Sequence, residues 1–137
     1  TRSLCDWSSD VCSSDLLTHV LNTHHHWDHT GGNLELKEDG VKIYGPKNEA
    51  GKIPGIDVAV AEGDSVKFGG RDIVIMDGGG HTKGHIVYYI PGESPTLFSG
   101  DCLFSLGCGK MFEGNPEQFW GALKKLRDLP DETILYW

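Results

Sequence analysis

The chain has 137 residues, 38% hydrophobic and 23% charged, and its 12 basic and 20 acidic side chains give a formal net charge of −8 at pH 7. This length is enough for one domain with a buried core, and the acidic balance argues against a general nucleic-acid or membrane-surface binder. No apolar run approaches the roughly 18 residues of a membrane span, and four irregularly spaced cysteines favour a reducing compartment over a disulfide framework.

Residues 1–16, TRSLCDWSSDVCSSDL, differ in composition from the rest of the chain. They are rich in Ser, Asp and Cys and have no apolar periodicity, and Cys5–Leu16 resembles a translated sequencing-library adapter. A zinc-binding tail is the competing interpretation, but Cys5 and Cys12 lack a second pair of ligands. We therefore predict a non-native, disordered tail over 1–16 and a partial catalytic domain over 17–137.

From Leu17 onward, short apolar runs alternate with turn residues and predict many strands and few helices. The predicted strands are 17–22, 42–44, 58–61, 65–68, 73–76, 86–90, 97–99 and 134–137. A short helix is predicted at 33–37, and Gly45–Gly55 is predicted to be a loop. A longer helix is expected after Asn115, a favourable N-cap, with Phe119, Trp120, Leu123 and Leu126 on its apolar face. This pattern predicts an α/β sandwich with its chemistry on loops at strand ends.

The densest set of metal-binding residue types is the segment THHHWDH, Thr23–His29, directly after the first predicted strand. In an extended segment, alternate side chains point the same way. One side would then carry His24, His26 and Asp28. The other would carry His25 and Trp27, which we expect to be packing residues. His29 can join the first set only if the chain turns, which Gly31 and Gly32 permit.

These four candidates are more ligands than one divalent ion needs from one segment. A natural division assigns His24 and His26 to one metal, and Asp28 and His29 to a second. Imidazole and carboxylate together suit zinc, iron or manganese. A tag-like histidine tract is the competing interpretation, but a tag would lack the preceding strand, the interleaved Asp and the following glycine pair.

Two later segments repeat this arrangement at strand ends: GHTKGH, Gly80–His85, and SGD, Ser99–Asp101. A lone His or Asp at a strand end is usually structural. Three such elements in this order favour a shared metal site.

Together these motifs resemble those of the metallo-β-lactamase superfamily, in the expected order. The resemblance is closest to the glyoxalase II (hydroxyacylglutathione hydrolase) family, through THHHWDHTGGN at Thr23–Asn33 and LFSLGCGKMFEG at Leu103–Gly114. It covers 17–137 and implies an αβ/βα sandwich, truncated at both ends. No residue matches the family's last His ligand or its C-terminal helical domain, so we expect a fragment with an incomplete second metal site.

The resemblance implies a role for each matching residue. The first metal would be bound by His24, His26 and His81. The second would be bound by Asp28 and His29, with Asp101 bridging both metals and both aspartates acting in catalysis. His85 would support a ligand. Lys110 would meet a glutathione carboxylate and Phe112 would line that site, whereas a solvated surface lysine is the competing interpretation of Lys110. Cys102 and Cys108 are interpreted as loop residues and not as nucleophiles.

The implied cofactors are two divalent ions, with zinc favoured and iron or manganese as alternatives. The implied reaction is hydrolysis of S-D-lactoylglutathione to glutathione and D-lactate by a metal-activated hydroxide, the second step of methylglyoxal detoxification. We expect a cytoplasmic monomer without nucleic-acid or membrane partners, with a mitochondrial form as an alternative. The alternatives for function are a single-iron persulfide dioxygenase, another superfamily hydrolase, a nuclease, which the acidic balance disfavours, and an inactive metal-binding fragment.

Overall fold

The computed structural model describes residues 17–37 and 40–137. The predicted adapter-like tail at 1–16 lies outside the described residues, so that division of the chain stays a prediction. The described part contains helices and two β-sheets, which confirms the predicted α/β class. None of its helices combines the length and the apolar character that crossing a bilayer requires.

The first sheet has the order β1-β2-β3 and all its strands are parallel. Its strands are β1 His19–Leu21, β2 Lys42–Pro46 and β3 Val58–Val60. The connecting helices are α1 Trp27–Thr30, α2 Asn33–Lys37 and a 3₁₀ helix at Lys47–Lys52. The loop predicted at Gly45–Gly55 is therefore wrong, because Gly45 and Pro46 pair with β3 and a helix follows them. Parallel pairing joins distant segments, so local turn residues did not reveal it.

The second sheet has the order β4-β5-β6-β7-β8 and is antiparallel except for the β7–β8 pair. Its strands are β4 Ser65–Phe68, β5 Arg71–Asp77, β6 Ile86–Ile90, β7 Thr96–Phe98 and β8 Ile134–Tyr136. The β4–β5 hairpin is tight because Gly69 and Gly70 both have positive φ, at 56° and 77°. This turn sets the register in which Phe68 pairs with Arg71.

Helix α3, Pro116–Arg127, begins where predicted, because the Asn115 side chain accepts a hydrogen bond from Gln118 N at 2.8 Å. Its buried residues pack against the second sheet in a cluster with Val87, Leu97 and Cys102. These helix residues are Phe119, Ala122 and Leu126. Trp120, predicted on the same apolar face, lines a surface groove with Leu123, and its side chain is exposed.

A second apolar cluster joins the two sheets. Val60 of β3 is buried with residues of β4, β5 and β6, and Leu21 of β1 packs against them. Polar contacts reinforce the junction, because Tyr88 Oη donates to the Asn22 carbonyl at 2.7 Å and Ile86 N donates to the Thr23 carbonyl at 2.9 Å. The end of β1 is thus fixed against β6, which brings the loop after β1 to the loop that precedes β6.

Candidate metal centre

In the segment after β1 the backbone is extended at His26, and a helical turn begins at the next residue, Trp27. Thr30 closes this turn, since both its backbone N and its Oγ1 donate to the His26 carbonyl at 3.1 Å. The predicted extended conformation through Asp28 is therefore wrong. The prediction of Trp27 as a packing residue is wrong for the same reason, because the turn leaves its side chain 75% exposed.

Predicted ligands from three separate loops converge here, in two sets. The first group is His24, His26 and His81, and the second contains His24, His29 and Asp101; within each, one donor atom per residue lies within 4.8 Å of the others. His81 Nε2 is 3.0 Å from His26 Nδ1 and 3.3 Å from Asp101 Oδ2. The other Asp101 oxygen, Oδ1, is 3.1 Å from His29 Nε2. Asp101 therefore lies between the two groups.

Asp28 is the one predicted ligand that belongs to neither set. Its side chain is 78% exposed, and its Oδ2 lies 3.5 Å from His29 Nε2. The position is in the first turn of α1. Its assignment as a ligand stays a prediction.

The environment of His24 fits a metal ligand. Its side chain is fully buried, Thr23 Oγ1 lies 2.9 Å from its Nδ1, and its Nε2 has no hydrogen-bond partner among the described residues. An unpaired buried nitrogen is costly, and a bound cation would satisfy it. Burial, and then the neighbouring imidazoles beginning with His85, lowers the pKa of His24 to about 2. The ring is therefore neutral, which is the form that binds metals.

His81 is oriented by a backbone partner. Its Nδ1 lies 2.7 Å from the Lys110 carbonyl oxygen. A carbonyl can only accept, so Nδ1 carries a proton, and in the neutral ring the lone pair on Nε2 faces His26 and Asp101. Histidine ligands of metals commonly have this arrangement, so the donor set fits a divalent ion.

His85, predicted to support a ligand, is fully buried beneath His24. The two rings stack with centroids 4.7 Å apart, and neither His85 nitrogen has a hydrogen-bond partner among the described residues. Burial, and then the charge of His81, lowers the pKa of His85 to about 3, so the ring is neutral. His85 therefore contacts His24 by ring packing.

Glu49, in the 3₁₀ helix, was not predicted to take part in the site. Its buried carboxylate accepts hydrogen bonds from His25 N at 2.9 Å, from His25 Nδ1 at 2.7 Å and from Gly84 N at 2.9 Å. Burial acts to raise the pKa of Glu49, but the nearby Thr82 hydroxyl and the hydrogen bonds from His25 and Gly84 outweigh it and lower the pKa, so the group is ionised. Glu49 thus ties the THHHWDH segment to the HTKGH segment. His25, predicted as a packing residue, instead binds this carboxylate.

A buried pair of asparagines supports the other end of the THHHWDH segment. Asn33 Nδ2 donates to Asn22 Oδ1 at 2.8 Å and to the Pro54 carbonyl at 3.0 Å, while Asn22 Nδ2 donates to the His29 carbonyl at 3.1 Å. Asn33 lies in the THHHWDHTGGN signature, so the signature itself could have indicated this role. The pair connects the backbone of His29 to β1 and to the chain near Pro54.

The segment with the predicted substrate residues lies beside the first group. The Phe112 ring is 5.2 Å from the His81 ring, and Lys110 Nζ is 4.8 Å from the Phe112 centroid. Both side chains are exposed. This segment passes close to the backbone of Asp101 at Gly109. An added Cβ at Gly109 would lie 1.9 Å from the Asp101 carbonyl oxygen, so the close passage requires glycine.

Of the two described cysteines, Cys102 does not have the properties of a nucleophile. Cys102 is fully buried, and burial raises the pKa of its thiol to about 12. Cys108 is exposed, on the loop before Gly109. A buried thiol with a raised pKa is inert at neutral pH.

The family model of the metallo-β-lactamase superfamily matches residues 16–136, and this chain belongs to that superfamily. Its curated relatives include the hydroxyacylglutathione hydrolases of Rhizobium meliloti and Rhodospirillum rubrum. Each is 50% identical to it over 121 residues, which are 88% of this chain and 47% of the relative. The resemblance to glyoxalase II is thereby confirmed. The chain spans about half the length of the curated relatives it matches.

The solved structures support the same fold. The crystal structure of ETHE1 from Myxococcus xanthus aligns with a TM-score of 0.77 and 35% sequence identity, over 88% of this chain and 52% of that one. This confirms the predicted metallo-β-lactamase-type fold.

Proposed function

We propose that this chain carries the metal-binding part of a hydroxyacylglutathione hydrolase, which converts S-D-lactoylglutathione to glutathione and D-lactate. The observation that carries the proposal is the 50% identity to curated relatives of that name, over a segment that includes every predicted site residue. The convergence of the two donor sets from separate loops supports it.

The first group, His24, His26 and His81, would hold one divalent ion, for which zinc is the favoured identity. Asp28 and His29 would hold a second ion, and Asp101 would contact both. Bound at these donors, divalent ions lower the pKa of a coordinated water toward about 7 and so make hydroxide available at neutral pH.

The chain's own residues would position the substrate and hold this centre. Lys110 supplies a cation for a glutathione carboxylate in a chain of net charge −8, and Phe112 gives an apolar wall next to His81. The leaving group is a thiolate, whose conjugate acid has a pKa of about 8.5, so a strong general acid is not needed.

The test is to purify the chain from a metal-replete medium and to measure metal content and S-D-lactoylglutathione hydrolysis on the same sample. We expect turnover that Asp101→Asn abolishes, because this change removes the charge between the two groups and preserves the shape. Asp72→Asn, on the exposed β4–β5 hairpin, is the matched control and should leave turnover unchanged. A chain loaded with two metal ions that does not hydrolyse the thioester would contradict the proposal, whereas one ion without turnover would identify the chain as an inactive metal-binding fragment.

A single-iron persulfide dioxygenase is the second candidate. The observation that favours it is that the first group is compact whereas Asp28, a predicted ligand of the second metal, is exposed. A centre with one metal needs only the first group. Loading the chain with one iron per chain and measuring oxygen uptake with glutathione persulfide separates the candidates. Oxygen uptake without thioester hydrolysis would select the dioxygenase.

A further inference from the structure

His25 is not among the predicted ligands, yet its ring is oriented as a metal ligand would be. Its Nδ1 lies 2.7 Å from Glu49 Oε2. Because the ionised carboxylate can only accept a hydrogen bond, Nδ1 carries a proton, and in the neutral ring the lone pair is then on Nε2. A carboxylate that binds one imidazole nitrogen in this way commonly orients the other nitrogen toward a metal.

The free nitrogen of His25 faces a second carboxylate. Its Nε2 is 3.5 Å from Glu113 Oε1, and both side chains are partly exposed. This distance exceeds the roughly 2.7–2.9 Å of a charge-assisted hydrogen bond. It is close to the ~3.4 Å that separates two ligands bound tetrahedrally about 2.1 Å from a zinc ion. His26 completes the set, since one donor atom from each of the three residues lies within 4.8 Å of the others.

We propose that His25 and Glu113, with His26 beside them, form a peripheral divalent-cation site at the edge of the metal centre. Imidazole and carboxylate donors suit zinc, and the partial exposure leaves room for water at the remaining coordination positions. The site is weaker than the main centre, because it has fewer buried donors.

Lys52 is the natural competitor for this site. Its exposed ammonium lies 3.7 Å from Glu113 Oε1 and neutralises that carboxylate in the absence of a cation. Binding of zinc therefore displaces Lys52. An exposed pair of this kind contributes little, so the displacement weakens zinc binding by only about two- to fivefold.

Occupation of the site has a consequence for the neighbouring centre. Glu113 follows Phe112 directly, and its other oxygen accepts a hydrogen bond from Lys83 N at 3.3 Å. A cation between His25 and Glu113 would attach the segment of Lys110 and Phe112 to the THHHWDH segment and draw on His26, a candidate ligand of the first group. Excess zinc is therefore expected to reduce turnover.

The test counts bound zinc per chain while chelator buffers set a series of free zinc concentrations. The variants are Glu113→Gln, which removes one ligand, and Lys52→Gln, which removes the competitor, with Glu117→Gln on α3 as the matched control. At the highest free zinc, we expect the parent chain to bind one ion per chain more than Glu113→Gln. For Lys52→Gln, this extra ion should bind at about two- to fivefold lower free zinc. Glu117→Gln should match the parent.

Three results would overturn the proposal. Equal zinc content in the parent chain and Glu113→Gln would show that the extra ion does not exist, and His25 would then bridge Glu49 and Glu113 as an imidazolium. A loss in Glu113→Gln of the zinc bound at the lowest free concentration would place Glu113 in the main centre. If the extra ion bound Lys52→Gln at the same free zinc as the parent chain, it would not be bound at the carboxylate that Lys52 contacts. None of these counts uses turnover, so the proposed hydrolase activity is tested separately.

Discussion

His81, which belongs only to the first group, is buried, whereas His29 and Asp101, which belong only to the second, have side chains that are 32% and 24% exposed. In the first group, Thr23 and the Lys110 carbonyl each engage one nitrogen of a histidine and leave the other free. In the second, His29 is held mainly through its backbone, by Asn22. The fold therefore preorganises the first group more than the second, and preorganised donors bind with less loss of entropy.

The largest expected effect comes from removing one ligand of each group in turn. His81→Ala should abolish thioester hydrolysis and lower the metal content, because His81 contacts both His26 and Asp101. His29→Ala should retain metal in the first group while hydrolysis falls. The check is to measure metal content and turnover on each purified variant. Equal loss of metal in both variants would contradict the stronger preorganisation of the first group.

Glu49→Gln should have the next largest effect and should act on the first group. The amide cannot accept all the hydrogen bonds from His25 and Gly84 that the carboxylate accepts. We expect about 10- to 100-fold weaker metal binding, as for other groups that orient a ligand. A competition titration with a chelator measures it, and Glu132→Gln, at an exposed position, is the control. Unchanged affinity would show that the tie between the two segments is not needed.

Asn33→Ala should act on the second group. It removes two hydrogen bonds donated by Asn33 and leaves Asn22 Oδ1 unpaired, which should lower the free energy of unfolding by roughly 1–3 kcal/mol. Because Asn22 also holds the His29 carbonyl, we expect the second metal to bind more weakly and the first to be unaffected. Denaturant unfolding and stepwise metal titration test both effects, with the exposed Asn48→Ala as control. Equal weakening of the binding of both metals would show that Asn33 does not act on the second group alone.

The smallest effect is expected at the start of α3. Asn115→Ala removes the N-cap hydrogen bond to Gln118 and should cost about 1 kcal/mol of unfolding free energy. Metal affinity should not change, because this cap touches neither ligand group. Thermal unfolding with and without metal checks it, and Asn115→Asp, which preserves the acceptor, should restore the stability. A loss of metal affinity in Asn115→Ala would show that general stability, rather than local contacts, controls the centre.

Elements bounded by strong turn residues were predictable from the sequence. The bounds of α2, β4 and β6 agree with the prediction, because glycine, proline or aspartate residues stand at their ends. The helical turn at Trp27 was not predictable, because it depends on contacts of Thr30 and Asn22 that alternation along the segment does not contain. Periodicity likewise placed Trp120 on an apolar face that the packing of α3 leaves exposed.

Contacts between distant residues also limited what could be predicted of the candidate site. The ligand types in THHHWDH, HTKGH and SGD stand out in the sequence, and the resemblance supplied their roles. Glu49 did not stand out, because its partners are 24 and 35 positions away and its own segment was predicted to be a loop. A buried carboxylate that links two distant motifs leaves no local pattern in a single sequence.

Gly109 also bears on how a mutational scan of this chain would be interpreted. Any side chain there would collide with the backbone of Asp101, and a backbone atom cannot move aside as a flexible side chain can. Substitution to alanine should therefore be about as damaging as loss of a ligand, although glycine offers no donor and no charge. A scan that ranks positions by loss of function would place Gly109 among the essential residues, and its contribution would be the space that it leaves empty.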